Sequence, residues 1–321
     1  MKISVLDRFD SVFDDWEKLI KNTESSPFIS PFWQKLWWEN FGEGSLYITK
    51  ILDGQEVIGI VPLYLNGNTA RFIGGTDLFD YQDFILKNGC EEKVIKTFLD
   101  HAALLDWNEI ELFSIPENSL SIDLLERLSG GLGFSFEASV LETSPGKCLP
   151  ETWEEYISEL SKKNRHELRR KFKRIQEEGY KFYTCEEFDL LDSLSDFFRL
   201  HKLSGVDKSD FMTTERERFF TEIAIHHAKK KQMNLSFVEM NGVRVAASFC
   251  FDYGDYTFLY NSGYDTGFSS FSVGLICNAL VIKSSINQGK KFFDFLRGDE
   301  RYKYHLGGTD KSVYKIVLSK K

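Results

Sequence analysis

The pattern of hydrophobic and polar positions predicts strands that alternate with helices along the whole chain. Short apolar or alternating runs predict strands near 45–52, 56–65, 69–74, 109–114 and 134–141. Apolar residues at helical spacing predict helices near 91–105, 120–129, 187–202 and 214–231. This alternation indicates the α/β class, more closely the α+β type in which helices cover a mixed sheet.

Capping signals mark two further helices. Pro31 follows Ser30 at a position that favours a first helical turn, which predicts a helix through Phe41. Thr152 and Glu155 have the spacing of a capping box, and the apolar positions beyond them predict one long helix that ends at Gly179. The preceding stretch, 142–150, is rich in turn-forming residues and is predicted to be a linker.

The chain contains an internal repeat. Residues 53–63 (DGQEVIGIVPL) and 241–251 (NGVRVAASFCF) both begin with a turn signal and continue as a strand-like run. The spacing of 188 residues is kept downstream, where Gly75 and Asp77 match Gly263 and Asp265. We therefore predict two copies of one α/β domain, residues 1–150 and 151–321, because the period is too long for a solenoid.

Composition and charge restrict the protein class. With 29 Phe, 13 Tyr and 6 Trp among 321 residues the chain can bury a sizeable core, so disorder is excluded as its general state. The longest apolar run, 57–65, is too short for a membrane span, and Asp7 and Asp10 interrupt any signal peptide. The five cysteines have no metal or redox spacing, which favours a cytoplasmic location.

A strongly basic helix stands out against a net charge of −9, which disfavours general nucleic-acid binding. Between Lys162 and Arg174 the sequence has eight cations and one acid, Glu167. Arg165 and Arg169 are four residues apart on one helix face, and guanidinium groups suit phosphate oxygens. The segment predicts either a phosphate-binding helix or an ordinary solvated face.

A second candidate anion site is the loop Thr266–Gly274, which leads into a helix. Free backbone N–H groups at a helix start bind anions, and no acid occurs between Thr266 and Ile282. The equivalent helix of the first repeat begins with Glu91 and Glu92, which would repel an anion. The alternative is an ordinary loop in which Ser272 caps the helix.

The segment 292–303 (FFDFLRGDERYK) places an acid within an aromatic strand. Burial of an unpaired carboxylate is costly, so Asp294 either pairs with a cation such as Arg297 or works at a cleft. Tyr302 and Lys303 follow closely. The sequence has none of the GxSxG, Walker, HExxH or GxGxxG motifs, and we expect no metal.

Six segments, taken in order, resemble a known family. They are Pro27–Gly42, Ile58–Leu63, Asp80–Phe84, Asn164–Arg174, Gly263–Asp265 and FDFLRGDERYK. The chain resembles the acetyltransferases once linked to bacterial cellulose biosynthesis, which belong to the GNAT superfamily. It is also similar to the Fem-type peptidyltransferases of cell-wall synthesis, which carry two tandem GNAT-like domains, as the internal repeat predicts here.

The resemblance implies a cytoplasmic N-acyltransferase. Its donor would be acetyl-CoA or another acyl-CoA, used as a co-substrate. Its acceptor would be an amine on a small molecule or on a lipid- or nucleotide-linked precursor, with polysaccharide or envelope synthesis as the context. The second domain would bind the donor, and the first would have lost donor binding and would shape the acceptor cleft.

The resemblance also suggests site residues. Asp294 would be the base, and Tyr302 and Lys303 correspond to the family's Tyr-Lys pair, with Lys303 steadying donor phosphates or the tetrahedral intermediate. Arg165, Arg169, Ser272, Gly274 and Arg297 would bind the donor. Val273 stands where the family often has proline, which weakens the match of that loop.

Three alternatives remain open. A Fem-like enzyme would take its acyl group from aminoacyl-tRNA, with the basic helix on the RNA backbone. A non-catalytic module would bind an anionic glycan or a nucleotide-sugar. A scaffold would have two degenerate clefts and bind neither.

Overall fold

The computed structural model describes residues 1–21 and 26–321, which form two compact units. The first comprises Met1–Thr143 and Lys311–Lys321, and the second comprises Ser144–Asp310. The predicted domain boundary lies after residue 150, and the predicted second domain includes the C-terminus. The structure corrects both points, because part of the predicted linker is a strand of the second unit and the C-terminal strand completes the sheet of the first.

The helices and strands up to Thr143 all belong to the first unit. They are β1 (Lys2–Leu6), α1 (Phe13–Ile20), α2 (Pro31–Phe41), β2 (Ser45–Asp53), β3 (Glu56–Asn66), β4 (Thr69–Phe72), β5 (Ile85–Leu86), α3 (Glu91–Ala102), β6 (Glu109–Pro116), α4 (Leu120–Ser129) and β7 (Phe134–Thr143). Pro31 begins α2 as predicted, and the hydroxyl of Ser30 accepts a hydrogen bond from Trp33 N.

The remaining elements belong to the second unit, except for the last strand. They are β8 (Gly146–Cys148), α5 (Trp153–Glu159), α6 (Lys162–Glu178), β9 (Lys181–Thr184), α7 (Leu190–Leu203), α8 (Val206–Phe211), α9 (Thr214–Lys229), β10 (Met233–Met240), β11 (Val243–Tyr253), β12 (Tyr256–Tyr264), α10 (Val273–Asn287), β13 (Phe292–Asp294), α11 (Arg301–His305) and β14 (Ser312–Lys320).

The first unit is built on a mixed sheet. Across the described part of the chain its strand order is β1-β2-β3-β4-β6-β14-β7, with β5 paired to β3. The pairs are antiparallel except β4 with β6. Helices α3 and α4 pack on this sheet around Phe98, Leu99 and Leu125, all fully buried. The sheet needs β14, which lies between β6 and β7.

The second unit repeats the same plan. Its sheet has the order β8-β13-β12-β11-β10-β9 within the described residues, and only β12 and β13 are parallel. Helices α5, α6 and α10 share one core that includes Cys250. The neighbouring Phe249 points to the opposite face, where it meets Phe197 of α7 and Phe220 of α9. Each unit contains a hairpin, a further strand, a helix and a last strand that is parallel to that further strand, and the predicted internal repeat is confirmed.

The long helix predicted from Thr152 to Gly179 is two helices. The capping box of Thr152 and Glu155 is present and begins α5. The chain is extended at Leu160, and Ser161 then caps α6 by accepting a hydrogen bond from Asn164 N (3.2 Å). The prediction was wrong here because Ser161 can cap a new helix within an apolar pattern that continues across the break.

Candidate functional site

Two parallel strands of the second unit diverge and leave one edge of β12 open. Strands β12 and β13 pair over three positions only, ending at Phe258 with Asp294. Strand β12 then continues to Tyr264, with a bulge where its register with β11 shifts next to Cys250. No described strand pairs with β12 beyond Phe258 on this side. This stretch of β12 therefore has no strand partner on that side among the described residues, although Ser262 already donates from N to Asn261 Oδ1 (3.2 Å) and accepts at O from Lys208 Nζ (2.6 Å).

A tight turn directs the chain away at the end of β13. Leu296 has a φ of +58°, a conformation that is costly for a leucine. Asp294 supports it, because its Oδ1 accepts a hydrogen bond from Leu296 N (2.8 Å). The Ser144 hydroxyl lies 3.4 Å from the same oxygen, and Asp294 is only 4% exposed. The predicted base thus holds the turn at the site with one of its carboxylate oxygens.

Lys303 holds the same turn from the other side. Its side chain is 2% exposed, and Nζ donates to the carbonyl oxygens of Leu296 (2.9 Å), Arg297 (2.6 Å) and Gly298 (3.1 Å). It also pairs with Glu300 Oε2 at 2.9 Å. An ammonium group has three protons, so these four acceptors occupy it fully. The structure thus places Lys303 within the wall of the site.

Gly298 is required at this turn. Its φ is +110°, and a Cβ there would lie 2.5 Å from Glu300 Oε2 and 3.2 Å from Lys303 Nζ. Any other residue would therefore disturb the pair that supports the turn. The neighbouring Arg297 is half-buried, and its carbonyl faces Lys303.

Tyr302 lies beside β12. Its ring centre is 6.5 Å from that of Phe295, and its hydroxyl lies near the side chain of Ser262. Burial raises the pKa of the Tyr302 hydroxyl well above its usual value, and nearby Glu300 adds to the shift. Tyr302 is therefore a neutral hydrogen-bond donor at physiological pH.

Two residues at the open edge of β12 were missed in the sequence. His201 of α7 is 1% exposed, and its Nε2 lies 2.8 Å from Asn261 Oδ1. Burial lowers the pKa of His201 to about 4, so the ring is neutral. Lys208 of α8 donates from Nζ to Ser262 O at 2.6 Å. Gly263 was the sequence signal that helix α7 approaches β12 closely. A Cβ at that position would lie 2.3 Å from His201 N, so only glycine fits.

The loop before α10 has the properties of an anion site. Ser272, with a φ of +56°, begins the helix, and the first turn has no acid. Gly274 lets this turn approach β12, because a Cβ would lie 2.9 Å from the Tyr264 ring. The basic helix supplies cations to the loop: Lys171 Nζ donates to Ser272 Oγ (2.6 Å) and the Arg174 guanidinium lies 5.2 Å from the Phe271 ring centre.

The two predicted arginines lie elsewhere on the basic helix. Arg165 donates from Nη1 to Ser158 O (2.9 Å) on α5. It precedes Lys171 by about 9 Å along the helix axis. Arg169 is exposed on the same helix. On this helix it is Lys171 and Arg174 that contact the loop before α10, at Ser272 and Phe271 respectively.

Two other features bear on function. Within residues 1–21 and 26–321, no three His, Cys, Asp or Glu side chains gather as a metal site. In the same ranges, the helices are all too short or too polar to cross a membrane.

Comparisons with known proteins agree with this architecture. The family model of the acetyltransferase (GNAT) domain matches residues 162–304. The solved structure of FemX has a TM-score of 0.67 at 11% identity, covering 98% of this chain and 97% of its own. A conserved protein of unknown function from Bacteroides thetaiotaomicron has 0.65 at 14% identity, covering both chains completely.

A tandem GNAT protein from the clavulanic acid biosynthesis pathway is also similar. Its TM-score is 0.52 at 10% identity, covering 98% of this chain and 97% of its own. A search of curated proteins finds no match. The chain therefore has the GNAT-superfamily fold of the tandem and Fem-like kind, and the matched domain contains the open edge of β12 and the loop before α10.

Proposed function

We propose that the protein is a cytoplasmic N-acyltransferase that moves an acyl group from acyl-CoA to an amine. The observation that carries this proposal is the arrangement of the second unit. There the unpaired edge of β12 runs, through one short loop, into the acid-free start of α10 with Lys171 beside it. Backbone groups can hold a carbonyl at the first feature, and phosphates bind well at the second.

The donor binds along this arrangement. Its phosphates lie at the N–H groups of α10, next to Ser272 and Gly274, with Lys171 and Arg174 supplying positive charge. The thioester carbonyl accepts hydrogen bonds from the free edge of β12, which polarises it. Positioning donor and amine together removes much of the entropic barrier to reaction.

The residues that line the opening have two roles: some hold the backbone in place, and one can take part in the reaction. Asp294 and Lys303 fix the turn that follows β13 and so keep β12 and β13 apart. Tyr302 remains neutral and can donate a hydrogen bond to the departing thiolate, which takes its proton from solvent. In this proposal the acceptor is an amino sugar or another amine of an envelope or polysaccharide precursor, as the family resemblance implies.

Calorimetric titration with acetyl-CoA and CoA tests the donor site. We compare Lys171→Ala/Arg174→Ala with Arg165→Ala/Arg169→Ala, because both variants remove two positive charges from the same helix. Loss of the first pair should weaken binding about tenfold or more, since each charge-assisted contact contributes about 1.5–3 kcal/mol. The second pair should change affinity by less than about threefold at physiological salt.

Two results would contradict this donor site. Equal losses in both variants would mean that only the net charge of α6 matters. Absence of binding to the wild-type protein would exclude CoA thioesters as donors. An acetyl-CoA assay against D-glucosamine, glycine and L-lysine then tests transfer itself.

A second candidate donor, aminoacyl-tRNA, is favoured by the exposed face of α6. Lys162, Lys163, Arg169 and Arg170 are all exposed there. Binding of fluorescent tRNA should then fall steeply as salt rises. Tight tRNA binding without acetyl-CoA binding would favour this donor over acyl-CoA.

A further inference from the structure

Two lysines lie near the open edge of β12, and they differ in how many hydrogen-bond acceptors their ammonium groups contact. Lys303 donates to three carbonyls and pairs with Glu300. Lys208 makes one hydrogen bond within the described residues, to Ser262 O. A charged Lys208 thus has two protons without a protein acceptor, whereas a neutral one presents a lone pair.

The surroundings of Lys208 disfavour its charge. The residue is half-buried at the open edge, and the groups that face it are the neutral ring of His201 on α7, Glu300 and Lys303. Glu300 is the one acid among them, and it already pairs with Lys303. Burial lowers the pKa of Lys208; Glu300 opposes this shift and Lys303 adds to it.

The other titratable groups of the opening are less suited to take a proton. Asp294 Oδ1 accepts the N–H of Leu296 and holds the turn. Lys303 has no lone pair to offer while it is bonded to its four acceptors. The His201 ring has Nε2 against Asn261 and a pKa of about 4, which makes it a weak base.

We propose that Lys208 is the proton acceptor for the attacking amine. This inference rests on the proposed acyl transfer. The amine lone pair attacks the thioester carbon and forms the C–N bond, and the nitrogen passes one proton to the lone pair of Lys208 Nζ. The C–S bond then breaks with its electrons on sulfur, the thiolate takes up a proton from solvent, and Lys208 releases the proton it received to solvent.

Two substitutions separate this role from a structural one. Lys208→Arg can still donate to Ser262 O but cannot lose its proton at accessible pH, whereas Lys208→Met loses both properties. We expect kcat for acetyl transfer, measured with D-glucosamine, glycine or L-lysine, to fall about 100-fold or more in both variants. Their acetyl-CoA affinity should change little. The rise of kcat with pH through one ionisation should also be lost.

A second measurement needs no acceptor. Reductive ¹³C-methylation gives each lysine an NMR signal, and Lys208→Arg identifies that of Lys208. Its pKa should lie below the ordinary lysine value of about 10.4. A Lys208 pKa at or above that value overturns the proposal, whatever the activity.

Recovery of activity in Lys208→Arg would also overturn it, because that result shows a structural role. Failure of the proposed function looks different. In that case the wild type neither binds acetyl-CoA nor transfers acetyl groups, while the pKa of Lys208 is still low.

Discussion

Both units contain a parallel strand pair at the same place in the fold, β4 with β6 and β12 with β13, but the two pairs end differently. In the second unit β12 and β13 separate, and polar side chains gather where they part. In the first unit Gln82 ties the equivalent strands together. Its N–H donates to Ser114 O (2.8 Å) on β6, and its Nε2 donates to Ile73 O (3.0 Å), directly after β4.

Apolar side chains complete the closure in the first unit. Phe79 is fully buried, and its carbonyl accepts a hydrogen bond from the Ser114 hydroxyl (3.2 Å). Its ring centre lies 6.4 Å from that of Trp33 and 6.1 Å from that of Trp37. The segment between β4 and β5 thus covers the end of this strand pair with buried side chains.

The helices that follow differ in the same sense. Helix α3 begins with Glu91 and Glu92, and Glu92 pairs with Arg127 at 2.9 Å. Helix α10 begins without an acid. Fold alone therefore does not give a site. In this molecule the difference lies in what ends the strand pair and in the charge at the helix start.

The largest effect is expected when the turn after β13 loses its lysine. Lys303→Met leaves three carbonyl oxygens and Glu300 without their donor, which should cost about 3–5 kcal/mol of unfolding free energy. Urea unfolding followed by circular dichroism measures it. Glu300→Gln keeps the three carbonyl contacts and should cost about 1 kcal/mol. Equal losses would show that the ion pair alone supports the turn.

Acidification should affect two buried histidines of the second unit and the buried Asp83 of the first with opposite sign. In the second unit burial lowers the pKa of His201 to about 4 and that of His227 to about 3. Below about pH 6.5 the unfolded state then binds more protons than the folded state, so the free energy of unfolding falls as the pH falls. For His201 the loss is of order 3 kcal/mol. In the first unit burial raises the pKa of Asp83, so the folded state gains protons and stability.

Hydrogen exchange between pH 6.5 and 4.5, corrected for intrinsic rates, follows each unit separately. Peptides around His201 and His227 should lose protection, and those around Asp83 should hold or gain it. His201→Gln with His227→Gln should flatten the first trend, and Asp83→Asn the second. Parallel loss of protection around His201 and around Asp83 would contradict this assignment.

A negative charge introduced at the start of α10 should weaken anion binding there, because α10 would then begin with an acid as α3 does. Ser272 makes no side-chain capping hydrogen bond that could be lost, and Ser272→Asp brings a carboxylate to Lys171, so stability should be kept. Acetyl-CoA affinity should fall about tenfold, since the new charge repels phosphate. Ser272→Asn is the neutral control of similar shape and should change affinity by less than about threefold. Isothermal titration measures both, and equal losses would assign the effect to shape.

Much of this contrast could be predicted from the sequence. Local signals were sufficient for the repeat, for Pro31 at the start of α2, and for the acids of α3 against none in α10. The strand at the C-terminus could not be assigned to the first unit, because its partners lie far away in the chain. Local sequence likewise does not distinguish the fully bonded Lys303 from Lys208 at the open edge of β12, because tertiary contacts make that difference.

The smallest effect tests the closure of the first unit. Gln82→Leu removes the Nε2 contact with Ile73 O but keeps the main-chain bond to Ser114. We expect a loss of about 1–2 kcal/mol from the unsatisfied carbonyl, with acetyl-CoA affinity unchanged. Gln82→Glu places a charge at a position that is 2% exposed and should cost more. If either variant changed donor affinity, the first unit would have to take part in donor binding, and the contrast between a closed and an open strand pair would no longer explain which unit holds the donor site.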